Sequence, residues 1–170
     1  KVFYSFDDID IRTASLAKKK LGKVNIKVYK KKQKEFNFFY QSYFVSKKKL
    51  EPLIDAKLAI SKDYYTINKK SKWISNDFSR KRAHLIRSEY DAIISTSRSI
   101  NLDNSQLNCR IKDFDNNKPD LIIIDLDLKI KKKLKIFKNN KKRKIILVTS
   151  YKNMKKEIYF KKLGVKLIFV

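Results

Sequence analysis

Short, uninterrupted apolar runs separated by helical patterns constrain the fold of this chain most strongly. Residues 121–124 form the run Leu-Ile-Ile-Ile between two aspartates, and residues 145–148 form the run Ile-Ile-Leu-Val. Continuous apolar strands of about four to eight residues are typical of parallel sheets that are buried on both faces. These two runs therefore predict central strands of a parallel sheet.

The rest of the chain continues the alternation, which is typical of an α/β fold with a mostly parallel sheet and helices on both faces. Strand patterns occur at residues 2–6, 24–28, 53–60, 90–95 and 165–170. Helical patterns occur at residues 11–21, 34–46, 77–88 and 152–163, with a short helix or turn at 96–101. Gly22 and Gly164 are suitable helix ends, and Asn76 or Asp77 is a suitable N-cap for the third helix.

The net charge of +26, from 43 basic and 17 acidic residues, suggests nucleic acid or an anionic surface as a partner. The excess is lysine rather than arginine, however, and it is spread over the whole chain. The abundant Lys, Ile, Asn, Tyr and Phe all have A/T-rich codons, so we interpret the charge as genomic base bias on solvated faces. The sequence contains no RNA-binding aromatic motif, zinc finger or KH-type loop. We predict no nucleic-acid partner and keep a basic nucleic-acid-binding module as the alternative.

The single cysteine, Cys109, excludes an internal disulfide and a cysteine-cluster zinc site, and it fits a reducing compartment. No apolar run approaches the length of about 18 residues that a transmembrane helix requires, so we expect no membrane partner. The first ten residues are acidic and lack the pattern of a signal peptide. We therefore expect a cytoplasmic protein.

Several side chains between residues 57 and 110 would suit a phosphorylated heterocycle beside a nucleotide cofactor. They are Lys57, Ser71, Trp73, Arg87, Asp103 and Arg110. Arg87 ends a predicted helix directly before strand 90–95, at the edge where ligands bind to sheets of this class. Its planar guanidinium matches the geometry of a phosphate group.

Each of these residues also has a structural interpretation. Trp73 is either an anchor of the core or an exposed indole that stacks on a cofactor. Lys57 either points outward from its apolar strand or is buried for a purpose, because an unpaired buried lysine is costly. Asp103 and Arg110 flank a polar segment that equally suits a structural turn.

Other polar residues are assigned no ligand. His84, the lone histidine, has no Cys, His or Asp partner at metal-ligand spacing, so metal binding by it is not expected. Asp120, Asp125 and Asp127 flank the run at 121–124 and could bind a cation. We prefer the interpretation that they cap loops, which is common for aspartates at strand ends.

Taken in order, these motifs resemble those of the bacterial bifunctional riboflavin-biosynthesis family, in which a deaminase is fused to a reductase. The first reductase motif of the family, K-L-x-A-S-x-D-G, is similar to residues 57–63, and S-x-W-I-T/S is similar to residues 71–75. The segment R-x-x-x-H-x-L-R-x-x-x-D-A-I is similar to residues 80–93, and T-V-x-x-D-D-P-x-L-x-x-R is similar to residues 99–110. The strand P-x-x-V-V-x-D is similar to residues 119–125.

The resemblance implies a dihydrofolate-reductase-like reductase domain at residues 51–170. It implies that residues 1–50 are the tail of a cytidine-deaminase-like α/β domain. The reaction implied is the NADPH-dependent reduction of the ribosyl group of 5-amino-6-(5-phosphoribosylamino)uracil to ribityl. The partner is then a small pyrimidine ribosyl phosphate. The protein could also form a homo-oligomer through the reductase domain.

The resemblance also implies roles for individual residues. The NADPH contacts are Ala59, Trp73, Ser99 and Asp103, and the substrate contacts are Ser71, Arg87, Leu107 and Arg110. The resemblance implies that Lys57 lies near the reacting ribose. The catalytic residues that it implies are Lys57 and Asp103. No metal ligand is implied, because the zinc motifs of the deaminase, H-A-E and P-C-x-x-C, would precede Lys1.

The chain departs from the family pattern at a few positions. Tyr64 replaces a glycine, Asn104 and Ser105 replace Asp-Pro, and Leu126 replaces a frequent serine. Because of these changes, a further alternative is that the chain is a non-catalytic relic of the same fold. The chain starts and stops within strands, so we expect a fragment cut at both ends. It would lack the zinc motifs and the glycine-rich segment after Val170, and would be inactive alone.

Overall fold

A computed structural model describes residues 1–10, 12–13, 15–31, 35–66, 73–114, 119–138 and 143–170. The chain forms two compact units, Lys1–Leu58 and Ala59–Val170. None of the described helices is long and apolar enough to cross a membrane. The elements of the first unit are β1 (Val2–Tyr4), α1 (Leu16–Lys23), β2 (Val28–Lys30) and α2 (Glu35–Lys49). Those of the second are α3 (Asp77–Glu89), β3 (Ala92–Thr96), α4 (Ser97–Asp103), β4 (Asp120–Ile124), α5 (Lys135–Lys138), β5 (Ile145–Thr149), α6 (Met154–Lys162) and β6 (Val165–Phe169).

In the first unit, β1 and β2 form a two-stranded parallel sheet. The strand predicted at residues 24–28 is wrong, because β2 begins only at Val28. The reason is the end of α1, where Asn25 adopts a left-handed conformation with φ 54°. The N–H of Asn25 donates to Gly22 O and that of Ile26 to Leu21 O, which is the pattern of a Schellman motif. Gly22 therefore lies within the last helical turn instead of after it.

The second unit contains a four-stranded sheet in the order β3-β4-β5-β6, and all its neighbouring strands are parallel. The inner strands β4 and β5 are the two apolar runs that the sequence predicted as central. Leu121, Ile123, Ile145 and Leu147 are almost completely buried because they share one face of this sheet. The predicted α/β class with a mostly parallel sheet is confirmed.

Helices α5 and α6 contribute to the core of the second unit. Phe160 of α6 is fully buried, and its ring lies 5.5 Å from the ring of Phe137 in α5. Gly164 ends α6 with φ 75°, a conformation that favours glycine, so the predicted helix end is confirmed.

The strand predicted at residues 53–60 is also wrong. This segment has no regular secondary structure, and the side chains of Ile54 and Leu58 are 73% and 71% exposed. A strand is stable only when a neighbouring strand pairs with its N–H and C=O groups. Among the described residues no strand pairs with this segment, so its apolar pattern alone does not produce a strand. Lys57 is consequently exposed on irregular backbone.

Capping interactions fix the helices that surround the candidate site. The side chain of Asn76 caps α3 by accepting a hydrogen bond from Ser79 N at 2.8 Å, as the sequence predicted. Asn104 ends α4 in a left-handed conformation with φ 46°, and its side chain accepts from Lys135 N at 2.9 Å. This second bond fixes the start of the polar segment 104–110.

Asp125 holds the loop that follows β4. Its side chain is buried and accepts three hydrogen bonds: from the Ser97 hydroxyl at 2.6 Å, from Lys129 N at 2.9 Å and from Ile130 N at 2.8 Å. These bonds offset the cost of burying a carboxylate. The preferred interpretation of Asp125 as a loop cap is therefore correct.

Replacing Asp125→Ala should lower the free energy of unfolding by about 3 kcal/mol, because two backbone N–H groups and one hydroxyl lose their acceptor. Asp127→Ala is the matched control, since Asp127 is exposed and pairs with Lys129 at the surface. The control should change the free energy by less than about 0.5 kcal/mol. Urea denaturation measures both values, and equal losses in the two variants would contradict the capping role.

Candidate functional site

A basic cluster lies where the C-terminal half of α3 meets the polar segment 104–110. We call His84, Arg87, Arg110 and Arg143 the arginine cluster. Arg87 Nη1 donates to the carbonyl oxygen of Asn108 at 3.3 Å, and His84 Nδ1 lies 3.0 Å from the same oxygen. Arg110 Nη2 lies 3.3 Å from His84 Nε2. The predicted substrate residues Arg87 and Arg110 therefore belong to one network. Arg87 precedes the start of β3 and Arg143 precedes the start of β5, and these strands are parallel members of one sheet. The expectation that Arg87 lies at the edge where ligands bind to such sheets is therefore wrong, because that edge is formed by the carboxyl ends of the strands.

Arg143 holds the same segment from the side of β5. Its Nη1 donates to Leu107 O at 2.8 Å, and its Nη2 donates to Gln106 O at 2.5 Å. Leu107 has φ 49°, a conformation that a leucine rarely adopts. The two charge-assisted hydrogen bonds stabilise this turn and so fix the backbone between Asn104 and Arg110.

The arginine cluster is electrostatically suited to an anion. Burial lowers the pKa of the Arg87 guanidinium, and Arg110 lowers it further. Burial also lowers the pKa of Arg143; the negative charge of Asp120 opposes this shift, and Arg87 adds to it. All three guanidiniums nevertheless stay charged at neutral pH. In the part of the chain that the structure describes, no carboxylate forms an ion pair with any of them.

His84 and Arg143 are members of this cluster that sequence reasoning missed. His84 was considered only as a metal ligand, and Arg143 lies in a lysine-rich run. The described residues contain no group of three or more His, Cys, Asp or Glu side chains that could hold a metal ion. The signal that could have found Arg143 is its residue type, because arginine is rare in a chain whose basic residues are mostly lysine.

Trp73 lies just before α3, and its indole is 53% exposed. The Arg80 guanidinium lies over the indole, 4.7 Å from the ring centroid, and also donates to Ser75 O at 2.5 Å. The interpretation of Trp73 as a core anchor is therefore wrong. Arg87 lies two turns further along α3, about 10 Å from Arg80 along the helix axis.

Ser99 and Asp103, the predicted cofactor contacts on α4, lie four residues apart and so share one side of this short helix. Both side chains are exposed. The adjacent side of α4 lines a cleft of about 460 Å³ at the carboxyl ends of β3 and β4. Ser97 and Asn101 lie in that cleft, whereas Ser99 and Asp103 are not among its lining residues.

The structure does not relate the remaining predicted site residues to the arginine cluster. Lys57 belongs to the first compact unit, and Ala59 is the first residue of the second. Ser71 lies outside the described residues. The structure thus brings together Arg87, Leu107 and Arg110, and the roles of the other residues stay predictions.

The fold is similar to that of several solved proteins. A structure of RibD from Acinetobacter baumannii, form 1, has a TM-score of 0.74 at 20% identity, covering 99% of this chain and 48% of that chain. The Thermotoga maritima diaminohydroxyphosphoribosylaminopyrimidine deaminase/5-amino-6-(5-phosphoribosylamino)uracil reductase has a TM-score of 0.73 at 20% identity, covering 99% and 53%. This chain therefore spans about half the length of the solved proteins it matches.

Comparison with sequences gives two further results. No curated protein matches the chain. The family model of the RibD C-terminal domain matches residues 52–168. This match begins close to the domain boundary expected after residue 50 and covers more than half of the sequence. The resemblance noted from the ordered motifs is confirmed, and the chain belongs to the RibD C-terminal domain family.

Proposed function

We propose that this chain provides the reductase part of riboflavin biosynthesis. The reaction is the NADPH-dependent reduction of the ribosyl group of 5-amino-6-(5-phosphoribosylamino)uracil to ribityl. Membership of the RibD C-terminal domain family supports the proposal. The observation that carries it is the network in which Arg87 donates to the Asn108 carbonyl and Arg110 lies against His84, which contacts the same carbonyl. Such a cluster suits the phosphate group of the substrate.

In this proposal Arg87 and Arg110 bind the substrate phosphate. Each guanidinium can donate two parallel hydrogen bonds to phosphate oxygens, which fixes orientation as well as adding binding energy. Leu107 contributes through its constrained backbone, and Arg143 holds that backbone in place. Anchoring the phosphate holds the ribosyl carbon in one position, and such positioning is a large part of the catalysis of hydride transfer.

We propose that exposed side chains before α3 and on α4 contact a dinucleotide. The Trp73 indole offers a flat surface for stacking, and Ser99 and Asp103 offer hydroxyl and carboxylate groups on one side of α4. We assign these residues and Ala59 to NADPH, which supplies the hydride when it is bound. Asp103 accepts a hydrogen bond from a cofactor hydroxyl, and Ser71 contacts the substrate. Lys57 holds the oxygen of the opened ribose.

We further propose that residues 51–170 are the reductase domain and residues 1–50 the tail of a deaminase domain. The start of the family match at residue 52 supports this boundary, although the compact units separate between Leu58 and Ala59. Zinc belongs to the deaminase motifs in this scheme. The protein would be bifunctional and cytoplasmic, and a homo-oligomer through the second unit stays a prediction.

The lysines lie on helices of both compact units, including α1, α2, α5 and α6. This dispersal favours solvated faces over a single nucleic-acid groove, since a nucleic-acid site concentrates basic and aromatic side chains along one surface. We therefore propose a small-molecule partner and no nucleic acid.

Replacing Arg87→Gln or Arg110→Gln should weaken binding of ribose 5-phosphate about 10- to 100-fold, because each variant loses charge-assisted hydrogen bonds to the phosphate. Isothermal titration calorimetry on the chain measures this loss. Arg82→Gln is the control, since Arg82 is exposed on the same helix as Arg87 and its substitution removes the same charge. Equal weakening in all three variants would mean that only net charge attracts the ligand.

The full-length protein that carries this chain should oxidise NADPH only when the pyrimidine ribosyl phosphate is present. Trp73→Ala should lower the rate about tenfold at limiting NADPH because the stacking surface is lost. Phe78→Ala removes another exposed aromatic ring nearby, 79% exposed, and should leave the rate unchanged. Loss of nicotinamide absorbance follows the reaction. No oxidation with substrate present would contradict the proposed activity.

A further inference from the structure

The hydrogen bonds of His84 determine which ring nitrogen carries the proton. The carbonyl oxygen of Asn108 can only accept, and it lies 3.0 Å from Nδ1, so Nδ1 carries the hydrogen. The Arg110 guanidinium can only donate, and its Nη2 lies 3.3 Å from Nε2, so Nε2 is the acceptor. This geometry requires a neutral imidazole, and its lone pair orients the Arg110 side chain.

The groups that face His84 disfavour a second proton in the absence of an anion. Burial lowers the pKa of His84, Arg87 on the same helix and Arg110 on the facing segment lower it further, and the Asn108 carbonyl opposes them. Arg143 adds a third guanidinium that interacts with Arg87, and the Asp120 carboxylate acts on Arg143 in the opposite direction. Among the described residues, no carboxylate pairs with His84 to compensate these charges.

We propose that His84 is the residue of the arginine cluster that gains a proton when an anion binds there. While neutral, it positions Arg110; when a doubly charged phosphate-like anion binds, Nε2 takes up a proton from solvent and donates to that anion. The inference rests on the proposed function, because it concerns the same phosphate site. It adds a binding residue that contacts the ligand and a dependence of binding on pH.

The sign of the dependence follows from linkage. A bound dianion favours the imidazolium, so the pKa of His84 is higher in the complex than in the free protein. Anion affinity therefore rises as pH falls through the pKa of the complex, and it levels off below the pKa of the free protein. Protonation breaks the bond between Nε2 and Arg110, which leaves both side chains free to donate to the same anion.

The test uses the fact that the chain contains one histidine, so its imidazole gives a single set of NMR signals. The chain, labelled with ¹⁵N in the ring, is titrated with acid in sodium sulfate and in sodium chloride of equal ionic strength. Sulfate is a suitable probe because it stays doubly charged throughout the titration, whereas phosphate itself changes charge. The imidazole nitrogen shifts report both the tautomer and the protonation.

We expect the Nδ1–H tautomer in chloride and a higher pKa for His84 in sulfate. Sulfate should bind about tenfold more tightly near pH 5 than near pH 8. Arg110→Gln should abolish the difference between the salts, while the control Arg82→Gln should preserve it. His84→Gln keeps an acceptor near Arg110 but cannot titrate, so its sulfate affinity should be independent of pH.

The Nε2–H tautomer in chloride, or a pKa that is equal in the two salts, would overturn the inference. An equal response in the Arg82→Gln and Arg110→Gln variants would also overturn it, because sulfate would then be an adventitious ion only. The proposed function is tested separately. If the full-length protein oxidises no NADPH while sulfate still raises the pKa of His84, the reductase assignment is wrong but the coupling of proton uptake to anion binding stands. Normal NADPH oxidation with an unresponsive His84 refutes the linkage alone.

Discussion

The backbone carbonyl of Asn108 is the contact on which the candidate site depends. It receives Arg87 and His84 from one helix, and through His84 it fixes Arg110 on its own segment. The Asn108 carbonyl thus holds Arg87 and His84 directly, and neutral His84 in turn accepts a hydrogen bond from Arg110. The network thus places Arg87 and Arg110 together although, among the described residues, neither forms an ion pair with a carboxylate. Such uncompensated positive charge is the property that an anion site requires.

The parallel sheet makes this contact possible by fixing the elements that carry the residues. The buried strands β4 and β5 form the rigid centre of the second unit. Asp125 fastens the loop after β4 to Ser97 at the start of α4, and Asn104 fastens the end of α4 to Lys135. The segment that follows Asn104 therefore starts from a fixed position and carries its carbonyls to α3.

Local sequence patterns predicted the inner strands and the Asn76 cap, and they failed where a partner distant in sequence decides the structure. The inner strands were correct because their continuous apolar runs are typical of buried strands, and the cap was correct because N-cap chemistry acts within a few residues. Segment 53–60 has the pattern of a strand but lacks a partner strand among the described residues. Arg87 and Arg110 were candidates from their residue type and position, and family resemblance gave them their substrate role. Arg143 was missed because its hydrogen bond to Leu107 joins residues 36 positions apart, which no spacing rule connects.

The central claim is that Arg87 and Arg110 bind one phosphate group together. The most direct test follows the arginine ¹⁵Nε signals by NMR while ribose 5-phosphate is added to the chain. The account predicts that the signals of Arg87 and Arg110 shift with one common dissociation constant, while those of exposed Arg82 and Arg98 stay unchanged. Equal, unsaturable shifts of all four signals, or separate dissociation constants for Arg87 and Arg110, would contradict it.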